Sequence, residues 1–195
     1  MKYRFNFFLM SFIKTQFPGL LVFEPKVLED SRGYFFESYN QKLFSEGGIE
    51  INFVQDNQAR SSFGVVRGLH FQKNPFAQTK LIRVLSGKII DVAVDIRKNS
   101  PTHGRAYTIL LSAENKRQLL VPKGFAHGYS VISEIAEVFY KCDEFYHKES
   151  EGGISWNDPA LKIDWQIPVN RITVSEKDKQ YDLLENTNHN FVFKD

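Results

Sequence analysis

A histidine and an arginine stand three residues apart in the otherwise mostly apolar stretch Gly64–Gln72. The imidazole of His70, with an ordinary pKa of roughly 6.5, is largely neutral at neutral pH and can accept a proton. The guanidinium of Arg67 is suited to holding a phosphate. Together they favour a general base acting on an anionic, carbonyl-bearing substrate. A histidine in an apolar run is more often structural, so the rest of the chain must decide between the two interpretations.

Three further side chains are candidates for proton transfer and charge stabilisation. Lys80 would stabilise an oxyanion if it faced the same cavity as His70, but a lysine that opens an apolar strand is usually a solvated end. The phenol of Tyr140 is suited to delivering a proton from the side opposite the base, although such a tyrosine is by default a packing residue. Asp178 would orient His70 through the second ring nitrogen, if the fold brought the two together.

The spacing of Arg67 and His70 poses a geometric problem for a shared site. Side chains of a regular strand alternate between its two faces, so residues three apart point to opposite sides. A glycine inside a strand often marks a bulge, which re-aims the side chains around it. We therefore expect a bulge at Gly68 if both residues serve one site.

Metal binding is the main alternative role for histidines in a β-sandwich. His70 is followed two residues later by Gln72 rather than by a second histidine, and His127 has no ligand partner nearby in the sequence. The other three histidines occur in turn-like or terminal sequence. We therefore expect no catalytic metal.

Composition narrows the class of protein. The 195 residues, 42% hydrophobic and 14% aromatic, are enough for one domain with a sizeable core. The net charge of +2, with basic and acidic residues interspersed, gives no reason to expect a nucleic-acid partner and favours a small anionic ligand. Cys142 is the only cysteine, so no internal disulfide forms and a reducing cytoplasm fits best. No apolar stretch approaches the roughly 20 residues that span a bilayer.

The first residues are interpreted as an addition to the domain. Residues 1–10 contain two basic residues and several phenylalanines, but Asn6 interrupts the apolar run and no small-residue cleavage site follows. Met10 offers an alternative start. We expect an N-terminal extension over 1–10 and a single domain over 11–195.

Short runs of strand-forming residues separated by turn residues predict an all-β fold. In the run 88–96, Ile90, Val92 and Val94 alternate with Asp91 and Asp95, which indicates one core face and one polar face. A sandwich or barrel that can hold a ligand follows, as in jelly rolls. Predicted strands cover 20–22, 34–36, 53–59, 65–72, 80–85, 88–96, 106–111, 118–121, 126–132 and 136–142.

Turns and helices are predicted at fewer places. Ser86-Gly87, between two strand patterns, predicts a tight hairpin. A short helix is predicted over 41–46, ended by Gly47-Gly48. The segment after Trp156 is expected to form loops and one short helix, near 175–178, that cover the β core.

Nine segments, taken in order, are similar to the dTDP-4-dehydrorhamnose 3,5-epimerase family of nucleotide-sugar enzymes. They cover nearly the whole chain, and so many matching strings in one order are not a chance event. The segments are Glu24–Val27, Arg32–Asn40, Phe53–Asn57, Val66–Gln72, Asp91–Arg97, Leu111–Leu119, Pro122–Gly128, Tyr140–Lys141 and Trp156–Ala160.

The resemblance implies a cupin-like double-stranded β-helix, or jelly roll, with a few short peripheral helices. It also implies a homodimer, no metal and no cofactor. In the family pattern His70 is the proton acceptor, and Asp178 is the carboxylate that orients it. Tyr140 is the proton donor on the opposite face of the substrate, and Lys80 stabilises the enolate. Residues that match substrate contacts are Arg32, Glu37, Gln55, Asp56, Asn57, Arg67, His127, Glu151 and Lys177.

The implied reaction converts dTDP-4-dehydro-6-deoxy-D-glucose to dTDP-4-dehydro-L-rhamnose, a step of dTDP-L-rhamnose biosynthesis, by inverting C3 and C5. Neither carbon changes oxidation state, consistent with the lack of a Gly-rich dinucleotide motif. Three alternatives stay open. They are a C3-only epimerase of a related nucleotide-linked 4-keto-6-deoxy sugar, a non-catalytic sugar-nucleotide-binding jelly roll, and a metal-dependent cupin oxygenase.

Overall fold

The computed structural model describes residues 11–194, so the extension predicted over 1–10 lies outside the described residues. Thirteen strands are present in these residues. In chain order they are β1 (Ser11–Lys14), β2 (Leu21–Glu24), β3 (Leu28–Asp30), β4 (Gly33–Phe35), β5 (Gln55–Ser62), β6 (Val66–Gln72), β7 (Lys80–Ser86), β8 (Lys88–Asp95), β9 (Ala106–Ser112), β10 (Gln118–Val121), β11 (Phe125–Val131), β12 (Ile135–Cys142) and β13 (Glu151–Gly153).

The strands form two large antiparallel sheets and one small hairpin. The six-stranded sheet has the order β1-β2-β10-β7-β12-β5, and the five-stranded sheet has the order β13-β6-β11-β8-β9. The hairpin β3-β4 stands apart from both. Two antiparallel sheets whose successive strands cross from one to the other are the jelly-roll architecture, so the predicted fold class is confirmed.

Most strand predictions are confirmed, with shifted ends. β5 runs over Gln55–Ser62 rather than 53–59, and other bounds differ by one or two residues. The short strands β1, β3 and β13 were not predicted, because three or four residues are too few to show alternation.

Helical structure is sparse among the described residues. The predicted helix α1 (Gln41–Glu46) is present, and the Asn40 side chain caps it by accepting a hydrogen bond from the Leu43 amide at 3.3 Å. The segment after Trp156 was expected to hold one short helix, but it holds three 3-10 helices. These are Val169–Arg171, Asp178–Gln180 and Leu184–Asn186, and a further one, Lys148–Ser150, precedes β13.

The predicted hairpin at Ser86-Gly87 is wrong. β7 pairs with β10 and β12 in one sheet, whereas β8 pairs with β9 and β11 in the other. Gly87 has φ +77°, and a Cβ there would collide with the Ile135 carbonyl oxygen. The turn therefore passes the chain from one sheet to the other, since a two-residue connection with glycine suits such a corner as well as a hairpin.

The five-stranded sheet is buried on both faces. Ile89 and Ala93 of β8 pack between the sheets, while Val92 and Val94 pack outward against the C-terminal segment that contains Trp165. The expected polar face of β8 is consequently not solvated. Asp91 and Asp95 are both fully buried, so each must find its partners inside the protein.

Within residues 11–194, the structure contains no helix long and apolar enough to cross a membrane.

Candidate active site

A bulge in β6 brings Arg67 and His70 to the same side of the strand. Opposite β11, His70 pairs with His127 and Arg67 pairs with Tyr129, so the register shifts between them. Gly68 lies in the shift at φ +110°, and a Cβ there would lie 2.6 Å from the Gly128 Cα. The expected bulge is therefore present. Both side chains line one cavity of about 440 Å³ between the sheets, which we call the central cavity.

The imidazole of His70 is hydrogen-bonded to the carboxylate of Asp178. The His70 Nε2 lies 2.6 Å from Asp178 Oδ1, and the Gly68 amide donates to Asp178 Oδ2 at 3.1 Å. The Asp178 side chain is 3% exposed and that of His70 is 29% exposed, so the carboxylate is covered while the imidazole reaches the cavity. Desolvation raises the pKa of Asp178, but the hydrogen bonds from His70, Gly68 and Ser175 outweigh it and hold the pKa below its ordinary value.

The six-stranded sheet supplies the opposite wall of the central cavity. Tyr140 of β12 and Lys80 of β7 both line it, and the Lys80 Nζ lies 5.9 Å from the centre of the Tyr140 ring. Burial raises the pKa of Tyr140 to about 12, so the phenol carries its proton at neutral pH. Burial also lowers the pKa of the Lys80 ammonium, with Cys142, Glu151 and Asp91 opposing the shift.

A second cavity, of about 350 Å³, adjoins the first and shares His70, Lys80 and Tyr140 with it. We call it the outer cavity. Its polar wall includes Gln55, Asn57 and Glu151. Glu151 forms an ion pair with Lys177 and accepts a hydrogen bond from the Tyr146 hydroxyl at 3.1 Å. The two cavities together form an elongated site that offers carboxylate, amide and cationic groups.

Ten of the thirteen side chains predicted for the site line these two cavities. They are Gln55, Asn57, Arg67, His70, Lys80, His127, Tyr140, Glu151, Lys177 and Asp178.

The remaining three line neither cavity. Arg32 lies in the β3-β4 hairpin, pairs with Asp30 and lines a separate surface cavity. Glu37 accepts a hydrogen bond from the Asn40 side chain at 3.0 Å, and Asp56 pairs with Lys141 at 2.8 Å.

Two residues of the site were missed by sequence reasoning. Asp91 lies 2.8 Å from His127 Nε2, and the Tyr181 ring packs edge-on against the His70 ring with centroids 5.7 Å apart. A carboxylate in the middle of the apolar run of β8 was a usable signal for Asp91. The sequence held no such signal for Tyr181. The Tyr181 ring can approach His70 only because Gly153 has no side chain, since a Cβ there would collide with the ring.

The arrangement is suited to acid–base chemistry at carbon. The His70 imidazole, hydrogen-bonded to the Asp178 carboxylate, lines the same cavity as the protonated Tyr140 phenol. The Lys80 ammonium lies next to that phenol. Among residues 11–194, no three histidine, cysteine, aspartate or glutamate side chains converge as a metal-ligand group. The fold and the site define a jelly-roll protein with an acid–base site for a small polar ligand.

Comparison with known proteins gives the family. A sequence model of dTDP-4-dehydrorhamnose 3,5-epimerase matches residues 14–186. The chain is 54% identical over 170 residues to the dTDP-4-dehydrorhamnose 3,5-epimerase of Shigella flexneri, covering 87% of this chain and 93% of that one. The chain therefore belongs to the dTDP-4-dehydrorhamnose 3,5-epimerase family, as its sequence motifs predicted.

Solved structures agree with this membership. The structure of dTDP-4-dehydrorhamnose 3,5-epimerase from Elizabethkingia anophelis is 51% identical, with a TM-score of 0.87, and the match covers 91% of this chain and 98% of that one. The 3,5-epimerase of Legionella pneumophila, solved in complex with dTDP-4-keto-L-rhamnose, is 48% identical with the same TM-score and covers 91% and 94%.

Proposed function

We propose that this protein is an isomerase that converts dTDP-4-dehydro-6-deoxy-D-glucose to dTDP-4-dehydro-L-rhamnose by inverting C3 and C5. The observation that carries the proposal is the placement of His70 and Tyr140 on opposite walls of one cavity, in a chain of this family. Inversion needs a proton acceptor on one face of the sugar ring and a proton donor on the other.

Proton removal requires a group that stabilises negative charge. Hydrogens beside a ketone are acidic because the electron pair of the broken C–H bond moves to the carbonyl oxygen. Lys80 is the cation placed to hold that oxygen, next to Tyr140 and across from His70. A fixed ammonium that is partly buried stabilises an enolate more than bulk water does.

His70 is the proton acceptor. Asp178 binds Nε2 and thereby presents Nδ1 as the basic nitrogen, and the same carboxylate stabilises the imidazolium that forms. Tyr140 then returns a proton from the opposite face. Its raised pKa keeps the phenol protonated until the carbanion-like carbon accepts the proton.

The nucleotide diphosphate is assigned to the cationic side chains around the two cavities. Arg67, fixed by a 3.0 Å hydrogen bond to the Ser61 hydroxyl, is suited to pyrophosphate oxygens, as is Lys177. His127, Gln55, Asn57 and Glu151 complete the polar lining. Tyr146, at the outer cavity and 54% exposed, is free to stack on the base.

Arg32 and Glu37 are assigned to a substrate site in a homodimer, since neither lines the cavities of its own chain. The β3-β4 hairpin that carries Arg32 presents exposed apolar side chains, with Leu28 53%, Tyr34 59% and Phe35 66% exposed. Such a patch on an element that stands apart from both sheets is typical of a surface covered by a partner. A second copy of the chain is the partner we propose, with the hairpin and its arginine reaching the neighbouring site. Asp56 lies between Gln55 and Asn57, which line the outer cavity. It is therefore assigned to substrate binding beside that cavity.

We also infer that residues 11–195 act as one cupin-like epimerase domain in the cytoplasm. The family match over 14–186 supports the first inference, and the single, buried Cys142 supports the second.

The test is to incubate the protein with the dTDP-4-keto sugar in heavy water. Deuterium at C3 and C5 is followed by NMR, and the product is trapped with a reductase that forms dTDP-L-rhamnose. Label at both carbons with L-rhamnose configuration is the expected result. Label at C3 alone identifies the C3-only epimerase, and no label at either carbon overturns the proposed function.

A further inference from the structure

A glutamine at the end of β6 uses both ends of its side-chain amide to bind two loops. Gln72 is the last residue of β6 and is 5% exposed. Its Nε2 donates to the Phe76 carbonyl oxygen at 2.7 Å and to the Phe145 carbonyl oxygen at 3.1 Å. Its Oε1 accepts from the His147 amide at 2.6 Å. One side chain therefore ties the loop after β6 to the loop between β12 and β13.

This set of hydrogen bonds requires a carboxamide. It needs two donors and one acceptor on one terminal group, and glutamine and asparagine carry that combination. An ionised glutamate has no donor, and a lysine has no acceptor. In the sequence, Gln72 counted only as the absence of a second metal-ligating histidine after His70. In the fold, its amide has contacts of its own.

The residue between the two bonded positions of the second loop is Tyr146. Its backbone amide donates to Gln55 Oε1 at 3.1 Å, and its hydroxyl donates to Glu151 Oε2 at 3.1 Å. Gln72 bonds the backbone on either side of it. The ring itself lines the outer cavity and is 54% exposed. The backbone of Tyr146 is thus fixed while its ring stays accessible to a ligand.

The first loop is anchored well enough to support the second. The His147 ring stacks on the Phe76 ring, with centroids 3.8 Å apart and planes 3° from parallel. The Asn190 side chain accepts from the Asn74 amide at 3.0 Å and donates to the Asn74 carbonyl oxygen at 3.1 Å. The C-terminal segment therefore holds the loop after β6, and this loop holds the Tyr146 loop through Gln72 and the aromatic stack.

We propose that Gln72 is a positioning residue for the nucleobase, which acts by holding the backbone around Tyr146 where the tyrosine ring stacks on thymine. This inference rests on the proposed function, in which Tyr146 stacks on the base. Gln72 carries no charge, and its amide group is bonded to the two loops. Its effect therefore falls on nucleotide affinity and not on proton transfer.

A ring that is already ordered binds its ligand more tightly than a ring that must be ordered on binding. Without the amide of Gln72, the backbone groups beside Tyr146 lose three hydrogen bonds to the protein. The stacking contact is then weakened by the cost of ordering the loop. The pyrophosphate is assigned to Arg67 and Lys177, which Gln72 does not bond, so its binding is unaffected.

The test is calorimetric titration of Gln72→Met with dTDP and, separately, with inorganic pyrophosphate. Methionine is of similar length and removes all three hydrogen bonds. The dissociation constant should rise by about tenfold or more for dTDP and by less than about twofold for pyrophosphate. KM should rise while kcat stays within about threefold. Gln58→Met, the same change at an exposed glutamine that lines neither cavity, is the matched control and should alter none of these values.

A double-mutant cycle shows whether Gln72 acts through Tyr146. Tyr146→Ala has no ring to position, so adding Gln72→Met to it should change the dTDP affinity by less than about twofold. A further loss as large as that in the single variant would mean that Gln72 acts through another contact, and the inference would be wrong.

Three other results would contradict the inference. They are a parallel loss of dTDP and pyrophosphate affinity, a fall in kcat with unchanged dTDP affinity, and no change in either affinity. Should Gln72→Met fail to fold, Gln72→Glu gives the same comparison, because it keeps the size and the acceptor but places a carboxylate against two carbonyl oxygens. The proposed function fails separately, if the unaltered protein incorporates no deuterium at C3 or C5.

Discussion

The His70 Nε2 and the Asp178 Oδ1 lie 2.6 Å apart, although 108 positions separate the two residues in the chain. The contact depends on a 3-10 helix of the C-terminal segment that packs against β6. The same helix places the Asp178 carboxylate under the Gly68 amide, so the bulge and the carboxylate support each other. Loss of either should therefore disturb the orientation of the imidazole.

Asp178→Asn is expected to lower kcat by about 10²- to 10⁴-fold, because an amide neither selects the required tautomer of His70 nor stabilises its imidazolium. Affinity for dTDP should stay within a few-fold of the original. Steady-state kinetics and calorimetric titration with dTDP measure the two quantities. Asp182→Asn, an exposed aspartate of the same segment, is the control. An unchanged kcat in Asp178→Asn would contradict the pair.

Removing the imidazole of His70 is expected to lower turnover without lowering the affinity for dTDP, whereas damage to the nucleotide site would lower that affinity. In His70→Ala, turnover should be abolished while dTDP binding is largely kept, because the proposed role of the ring is at the reacting carbon rather than at the nucleotide. Single-turnover assays and dTDP titration give the two values. A turnover number equal to that of the original protein would eliminate His70 as the base.

Tyr140→Phe separates proton removal from proton return. The variant keeps His70 and Lys80, so loss of substrate hydrogen to solvent should continue, whereas inversion at one carbon should fail because the donor is missing. Deuterium exchange and product configuration, both read by NMR, test this. Tyr107→Phe, which removes a hydroxyl from a tyrosine that lines neither cavity, serves as the comparison. Inversion of both centres at the normal rate would exclude Tyr140 as the donor.

The lowered pKa of Lys80 predicts where activity is lost at high pH. An ammonium with a depressed pKa loses its proton at a lower pH than an ordinary lysine, and the enolate then loses its counter-charge. The basic limb of the kcat profile should thus lie below the ordinary lysine range. In Lys80→Arg, whose side chain stays charged, this limb should move to higher pH even if the maximum rate falls. If the basic limb does not move in Lys80→Arg, it reports the titration of another group.

Gly68→Ala is expected to destabilise the fold by roughly 3 kcal/mol or more, because a Cβ would approach the Gly128 Cα to 2.6 Å at a φ of +110°. Gly33→Ala isolates the backbone contribution, since Gly33 has φ +120° and nothing within 4 Å of a Cβ. Its cost should be nearer 1 kcal/mol. Urea denaturation of both variants measures the difference. Equal losses would show that the close approach of β6 and β11 is not rigid.

Strand content was predictable from sequence because alternation and turn residues are local properties. The run 118–121 was predicted with the bounds that β10 has. The bulge at Gly68 was also predictable, because an odd spacing of two functional side chains requires one. The hairpin at Ser86-Gly87 was not, because its residues suit two different connections and only the pairing of β7 and β8 with other strands distinguishes them.

Residue types and their short-range order were enough to predict the family, the strand pattern and most of the side chains that line the two cavities. Which residues come into contact was set by the fold. It pairs Asp91 with His127, covers His70 with Tyr181, and leaves Arg32 outside the cavities of its own chain. The physical reason is that these contacts arise between strands and segments distant in sequence, whose mutual placement is set by burial of whole sheet faces.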